Sequence, residues 1–326
     1  MAAIMVTPTL LIHGGAGTVR RPQGPDATAL TRYERALAKV LARGEQALRR
    51  GASALDLVCQ AVGDLEDEPL FNAGRGAVLT ARGEHELDAA VACGATRRAG
   101  ALAGLRHTPH PVHAARALLE AEAAPVLLIG AEADAFAHRA GQAAVPNDHF
   151  RTAEREAQWQ AWHGARSGVP SLDHDGVLTS GTGPLDERSK MGTVGAVALD
   201  AQGRLAAATS TGGMTGKWPG RVGDSPLLGA GTWADERVAV SCTGQGEVFI
   251  RAAVAHAVAA RMRWGGLVLQ EAAEQAIHQD VTGLGGTGGL IALDAQGRWA
   301  MPFNSEGMYR GRVAVGQAPL VAVFRD

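Results

Sequence analysis

The sequence predicts an α+β fold in which two antiparallel sheets stack face to face with helices outside, a four-layer α-β-β-α sandwich. Three observations carry this. Residues 30–65 hold two successive stretches of apolar residues at helical spacing. Two hairpins share nearly the same text, Ala-Leu-Asp-Ala-Gln-Gly-Arg, starting at Ala198 and again at Ala292. Between them lie two more helical stretches, giving the order strand-strand, helix-helix, strand-strand. A repeat array is excluded, because a solenoid shows many shorter periods. At 326 residues the chain is long enough to bury a substantial core.

Taken in order, residues 9–13 read as a short buried strand, followed by a glycine-rich loop. Leu30, Tyr33, Leu37, Val40, Leu41 and Leu48 mark a helix running to about residue 50. Ser53 followed by Asp56 resembles a capping box and opens a second helix along Leu55, Val58, Val62 and Leu65, with Pro69 just beyond its end. Residues 77–80 and 86–93 read as strands. His110 to Ala121 reads as a helix, Val126 to Ile129 as a compact strand before another short helix, and Glu154 to His163 as a helix. Residues 164–191 mix Gly, Pro, Ser and Asp with charges and show no period, which marks an exposed linker. Beyond it come the first hairpin around Asp200–Gly203 and a strand over Arg237–Cys242. Helices over 247–264 and 267–279 follow, then the second hairpin from Leu290 to Phe303.

Composition narrows the function. Apolar residues make up 46% and charged residues 20%, the balance of a soluble globular protein. The net charge of −2, with no long basic block, argues against nucleic acid and against an anionic membrane surface. No apolar run reaches membrane-spanning length. The apolar N-terminus lacks a basic region and is interrupted by Pro8, so it reads as a first strand and not as a signal peptide. Cys59, Cys93 and Cys242 are scattered, show no metal spacing and imply a reducing compartment, so the expected address is the cytoplasm.

The most informative stretch is Gly192-Thr193-Val194-Gly195-Ala196-Val197-Ala198-Leu199-Asp200. A threonine inside a chain is a poor nucleophile. At a new N-terminus its own α-amino group, with a pKa of about 8, serves as the general base. Gly192 tolerates the strained backbone such a cut requires. On these nine residues alone, an ordinary buried strand after a loop is the simpler reading.

Further segments change that. They are His13-Gly14-Gly15-Ala16-Gly17, Pro69-Leu70-Phe71-Asn72-Ala73-Gly74, His85-Glu86-Leu87-Asp88-Ala89 and Ala208-Thr209-Ser210-Thr211-Gly212-Gly213. After them come Pro219-Gly220-Arg221-Val222-Gly223-Asp224-Ser225, Ser241-Cys242-Thr243-Gly244, Gly285-Gly286-Thr287-Gly288-Gly289 and Asn304-Ser305-Glu306-Gly307-Met308. In content and order the set resembles the plant-type asparaginase and isoaspartyl peptidase family of N-terminal nucleophile hydrolases. The match covers nearly the whole chain and thins around residues 140–191.

The resemblance implies self-cleavage between Gly192 and Thr193. This gives an α part of residues 1–192, ending in the linker, and a β part of 193–326, the two forming one structural domain. It makes Thr193 the nucleophile that attacks the side-chain amide of L-asparagine or of a β-aspartyl dipeptide and releases aspartate. Thr211, on the returning strand of the first hairpin, orients it. Thr243 and Gly244 stabilise the oxyanion, for which a hydroxyl and a glycine N–H are suitable hardware, and Gly246 lines the site. Arg221 and Asp224 take the carboxylate and the ammonium of an amino acid, the pairing their charges favour. Asn72 supports the site, and Gly14 and Gly15 let the backbone approach the nucleophile. The resemblance also implies a structural sodium ion held by the backbone carbonyls of Leu65, Glu66, Glu68, Phe71, Ala73 and Arg75, no catalytic cofactor, and a dimer of α–β units (α2β2).

Three lures are set aside. His107, His110 and His113 are interleaved with prolines and lack a further ligand set. Glu84, His85 and Glu86 are adjacent and face alternate ways in a strand. Gly212 to Lys217 fails as a phosphate loop on spacing and on Trp218. Cys242 is a rival nucleophile only on paper, since a lone strand cysteine is usually core filler. Glycosylasparaginase, a threonine endopeptidase and a non-cleaving binding scaffold remain as alternative readings.

Overall fold

A computed structural model describes residues 6–17, 27–166 and 192–325. In the first part of the chain the strands are β1 (Thr9–Gly17), β2 (Leu87–Cys93), β3 (Ala99–Leu105) and β4 (Leu127–Ile129). The helices there are α1 (Ala27–Arg49), α2 (Ala54–Glu66), α3 (Pro111–Glu120), α4 (Gly130–Arg139) and α5 (Ala153–Arg166). The second part holds β5 (Val194–Leu199), β6 (Leu205–Thr211), β7 (Thr232–Ala234) and β8 (Val238–Gly244). Helices α6 (Gly246–Ala252), α7 (Val254–Arg263) and α8 (Leu269–Gln275) follow. Strands β9 (Gly288–Asp294), β10 (Trp299–Ala300), β11 (Gly307–Ala314) and β12 (Leu320–Ala322) close the chain.

The strands form one eight-stranded sheet, ordered β12-β11-β1-β5-β6-β2-β3-β4, and one four-stranded sheet, β10-β9-β8-β7. Alternation along each strand sorts the core. Ile12, Ala196, Ala198, Ala208 and Val313 pack with Leu37, Leu41, Val58 and Leu65 of α1 and α2. Their neighbours Leu11, Val197, Leu199 and Ala207 pack with Ala239, Ile291 and Leu293 of the smaller sheet. Val238, Val240, Leu290 and Ala292 face Val254, Val258 and Leu269 of α7 and α8. Alanines at 196, 198, 207, 208, 239 and 292 alternate in these layers with larger Leu, Ile and Val side chains.

Local chemistry explains several boundaries. The Ser53 hydroxyl accepts the Asp56 N–H at 3.2 Å and caps α2. The two look-alike hairpins close identically. Asp200 Oδ1 accepts the N–H groups of Gln202 and Arg204, and Asp294 Oδ1 those of Gln296 and Arg298. The second carboxylate oxygen of each holds the arginine Nε, at 2.8 and 2.6 Å. One hairpin lies in each sheet.

Some expectations are corrected. β1 extends through the glycines to Gly17, with a bulge between His13 and Gly15, because β11 supplies a ladder partner that far. Residues 77–80 are not a strand. They follow a 3-10 turn at Gly74–Gly76 and contribute one bridge, Thr80 to Lys217. The 247–264 helix breaks at Ala253, which adopts φ 46°, and the 267–279 helix starts at Leu269 and widens to a π turn at Ala276–Val281. β4 runs parallel to β3, so the larger sheet is not wholly antiparallel. Of the expected linker, residues 164–166 belong to α5, and 167–191 lie outside the described residues. Among the described residues no helix is long and apolar enough to cross a membrane.

Candidate active site

Gly192 and Thr193 lead into β5, which lies between β1 and β6. The register pairing Val194 with Ser210 brings Thr193 to Thr211 at the end of the hairpin. The Thr193 hydroxyl donates to Thr211 Oγ1 at 3.1 Å. Thr211 Oγ1 also accepts the Gly213 N–H at 2.9 Å and lies 3.5 Å from the Gly192 carbonyl oxygen. Both threonines are buried. Gly15, at the β1 bulge with φ 113°, sits so close that an ideal Cβ on it would lie 2.7 Å from Gly192 Cα. Only glycine fits there without strain.

A cleft beside these residues is lined by Gly192, Thr193, Thr211, Arg221, Asp224 and Gly244, with Met214 and Ser225 at its wall. Arg221 is held through Nε to Glu247 Oε1 at 2.8 Å. Asp224 is buried, and its Oδ2 has no hydrogen-bond partner among the described residues. Burial pushes its carboxyl up to about 7, against the opposing pull of the Arg221 guanidinium. The cleft therefore holds one cation and one under-satisfied acid a few residues apart.

Thr243 and Gly244 end β8. Gly244 lines the cleft but Thr243 does not: its side chain is fully buried, and its Oγ1 accepts the Ala16 N–H at 3.2 Å. The hydroxyl proton of Thr243 is thus left to donate. Gly246 opens α6 behind Arg221 and Asp224, where an ideal Cβ would lie 2.8 Å from Arg221 Nη2. Asn72 does not line this cleft. Its amide nitrogen donates to the Gly213 carbonyl at 2.7 Å and its carbonyl oxygen accepts the Val78 N–H at 2.9 Å, which pins the turn after β6. Cys242 is fully buried, and burial pushes its thiol well above the ordinary value, which removes it as a nucleophile.

Two groups of residues escaped the sequence reading. One is a buried hydroxyl chain. His13 Nε2 meets Ser241 Oγ at 2.9 Å, Ser241 meets Thr209 at 2.7 Å, and Thr232 donates to Thr209 at 2.6 Å. Desolvation lowers the His13 imidazole to about 3, so it is neutral at physiological pH. The other is Lys217 with Glu86 and Asp88, all buried near Arg221. Glu86 and Asp88 lie within the His85–Ala89 segment, while Lys217 falls between two of the family-like segments and carries no signal of its own.

No set of three His, Cys, Asp or Glu among the described residues is arranged to hold a metal. His107 instead bonds the Val145 carbonyl and His110 the Asp67 carboxylate. The 65–75 turn has different chemistry. Its donors are neutral carbonyl oxygens, of the hard kind that alkali and alkaline-earth cations take. Gly74, at φ 49°, and Gly76 turn so tightly that a Cβ on either would overlap the carbonyls of Glu66 and Phe71. The Glu66 and Phe71 carbonyls thus crowd one glycine turn, which is compatible in chemistry with a small cation, while those of Leu65, Glu68 and Ala73 also accept backbone N–H groups.

A strand-head threonine, a paired hydroxyl and a cleft with one cation and one acid, mounted between two packed sheets, define a hydrolase. The chain belongs to the asparaginase family, whose model matches residues 6–323. It is 52% identical over 318 residues to the isoaspartyl peptidase of Salmonella typhimurium, which spans 97% of this chain and 98% of that protein. It is 38% identical over 310 residues to the plant-type L-asparaginase of Pyrococcus abyssi, covering 92% and 94%. With an isoaspartyl peptidase/L-asparaginase of Danio rerio it shares 36% over 300 residues, covering 91% and 89%.

Proposed function

We propose that the chain is a self-processing threonine hydrolase that cleaves the side-chain amide of L-asparagine and of β-aspartyl dipeptides, releasing L-aspartate. The observation that carries this is the Thr193–Thr211 hydroxyl pair opening onto the cleft of Arg221 and Asp224. The names of the relatives point the same way. Three of the core clusters, each between two successive layers, support a four-layer α-β-β-α sandwich of the N-terminal nucleophile type.

In the precursor, Thr193 Oγ1 adds to the Gly192 carbonyl carbon. The C–N bond breaks as the acyl group shifts to oxygen, and water hydrolyses the resulting ester. Residues 1–192 end there, and Thr193 gains a free amine. That amine takes the hydroxyl proton in the next reaction, while Thr211 holds the oxygen in line. Oγ1 adds to the side-chain carbonyl of a substrate whose α-carboxylate meets Arg221 and whose ammonium meets Asp224. The Thr243 O–H and the Gly244 N–H steady the oxyanion. The protonated amine passes its proton to the leaving nitrogen, ammonia or the amine of the second amino acid, and water releases aspartate from Thr193. The carbonyls of Leu65, Glu66, Glu68, Phe71, Ala73 and Arg75 would hold a sodium ion, which would stiffen the turn that carries Asn72. Two α–β units associate as α2β2.

Intact-mass measurement of purified protein, followed by aspartate detection with asparagine and β-aspartyl-leucine, tests this. Thr193→Ala is expected to remain one chain and inactive. Cleavage at another bond, or aspartate release by the alanine variant, counts against the mechanism.

A further inference from the structure

We infer that Lys217 and Glu86 form a buried clasp that positions Arg221 against the nucleophile, so that the grip on the substrate carboxylate is set from outside the cleft. The inference rests on the reading of Arg221 given above.

The segment 213–221 has no helix or strand of its own, yet both of its ends serve the cleft. At one end the Gly213 N–H bonds Thr211 Oγ1. At the other stands Arg221, whose N–H bonds the Trp218 carbonyl. The middle is tied to residues 79–86. The Gly216 N–H donates to the Leu79 carbonyl and the Ala81 N–H to the Lys217 carbonyl, both at 2.8 Å. Lys217 Nζ then reaches back under Gly213 and donates to the Glu86 carbonyl at 2.8 Å. An ideal Cβ on Gly213 would lie 3.0 Å from Nζ and 2.8 Å from Cδ of that lysine. The Glu86 carboxylate closes the clasp by accepting the N–H of Gly220, the residue just before Arg221, at 2.8 Å.

An ammonium is an expensive way to fill this space. Lys217 is only 5% exposed, and burial lowers its proton affinity while Asp88 nearby supports the charge. A pure packing role is met at less cost by methionine or leucine, since an imperfectly paired buried charge destabilises the fold. Asp88 stands opposite Thr211 in the β2–β6 ladder, and its Oδ2 has no hydrogen-bond partner among the described residues. The clasp thus joins the strand that faces the orienting threonine to the residue that precedes the carboxylate-binding arginine. Neither residue touches substrate; both are positioning residues.

The test is a double-mutant cycle on fully processed enzyme, reading kcat and KM for asparagine. Glu86→Ala, which leaves the Gly220 N–H without its acceptor, and Lys217→Met, which leaves the Glu86 carbonyl without its donor, are each expected to raise KM about tenfold, with kcat changed much less. Glu86→Gln keeps an oxygen for the Gly220 N–H and is expected to recover part of the loss. In an Arg221→Ala background the same substitutions are expected to add less than twofold, because their effect runs through the arginine. Full additivity, a kcat loss without a KM change, or no recovery in Glu86→Gln overturns the clasp. An Arg221→Ala variant with normal KM overturns instead the assignment of the carboxylate site. The extent of cleavage at Gly192–Thr193 and thermal unfolding report folding independently. If Glu86→Ala does not fold, the Lys217→Met and Glu86→Gln arms still decide.

Discussion

Asp224 in the cleft and Thr243, buried next to Gly244, show how single side chains are set against their surroundings. An unfolded aspartate ionises near 3.8, whereas burial holds the folded Asp224 carboxyl to about 7. Between those values the native state keeps a proton that the unfolded state has released, so stability falls as pH rises through the window. Asp224→Asn is therefore expected to unfold at a higher temperature than wild type at pH 8, with the gap closing toward pH 4, while losing activity on asparagine. Equal unfolding temperatures at pH 8 would show that the acid is not destabilised by its site. For Thr243, whose oxygen is occupied by the Ala16 N–H, substitution by valine is expected to lower kcat roughly a hundredfold or more and to leave KM less changed. Normal turnover by a self-cleaved Thr243→Val protein removes that hydroxyl from the oxyanion hole. Thr193, Thr211, Arg221, Asp224 and Thr243 were singled out because their segments resemble the family in content and order; taken alone, each segment reads as an ordinary strand or turn. The pairing of Lys217 with Glu86 was not legible, since it joins positions far apart in the chain.

At the scale of elements, β5 is shaped by what crosses it. A Cβ on Gly195 would overlap both Ser241 Oγ and His13 Nε2, so the second residue of β5 is glycine to admit a hydrogen bond linking β1 with β8. Gly195→Ala is expected to destabilise the fold by about 1–3 kcal/mol, the usual consequence of overpacking a tight core. Denaturant unfolding of the Thr193→Ala background with and without the change measures it, and a difference below about 0.5 kcal/mol dissociates Gly195 from that contact. Elements with a strong local signal were read correctly: α1 and α2 from their period, and the two hairpins from their Asp-Ala-Gln-Gly-Arg turns. β3, Ala-Gly-Ala-Leu-Ala-Gly-Leu, carries weak strand propensity and is made by its neighbours β2 and β4. β7 and β12 are three residues each, too short for alternation to show. The supposed strand at 77–80 failed for the opposite reason. Its apolar residues are buried, but Val78 spends its N–H on the Asn72 side chain and not on a ladder.

Across the whole molecule, the proposed cut divides the chain but not the sheet. In the order β12-β11-β1-β5-β6-β2-β3-β4, strands β1 to β4 lie before Gly192 and the others after it. The boundary between the two parts is therefore crossed three times: between β11 and β1, between β1 and β5, and between β6 and β2. Each crossing is a hydrogen-bonded ladder of five to eight paired residues. The core follows suit, for Leu37, Leu41 and Val58 pack on Ala196, Ala208 and Val313. Neither part can keep its strands paired or its apolar faces covered without the other. Breaking one peptide bond at the head of β5 removes none of these contacts. Fragments of 192 and 134 residues (326 − 192) are thus expected to co-elute in native size-exclusion chromatography and to separate only in denaturant. Each fragment expressed alone is expected to be insoluble or unfolded. Recovery of either fragment as a stable folded species would mean that the chain is two domains joined at the cut, and would undo the single-domain reading.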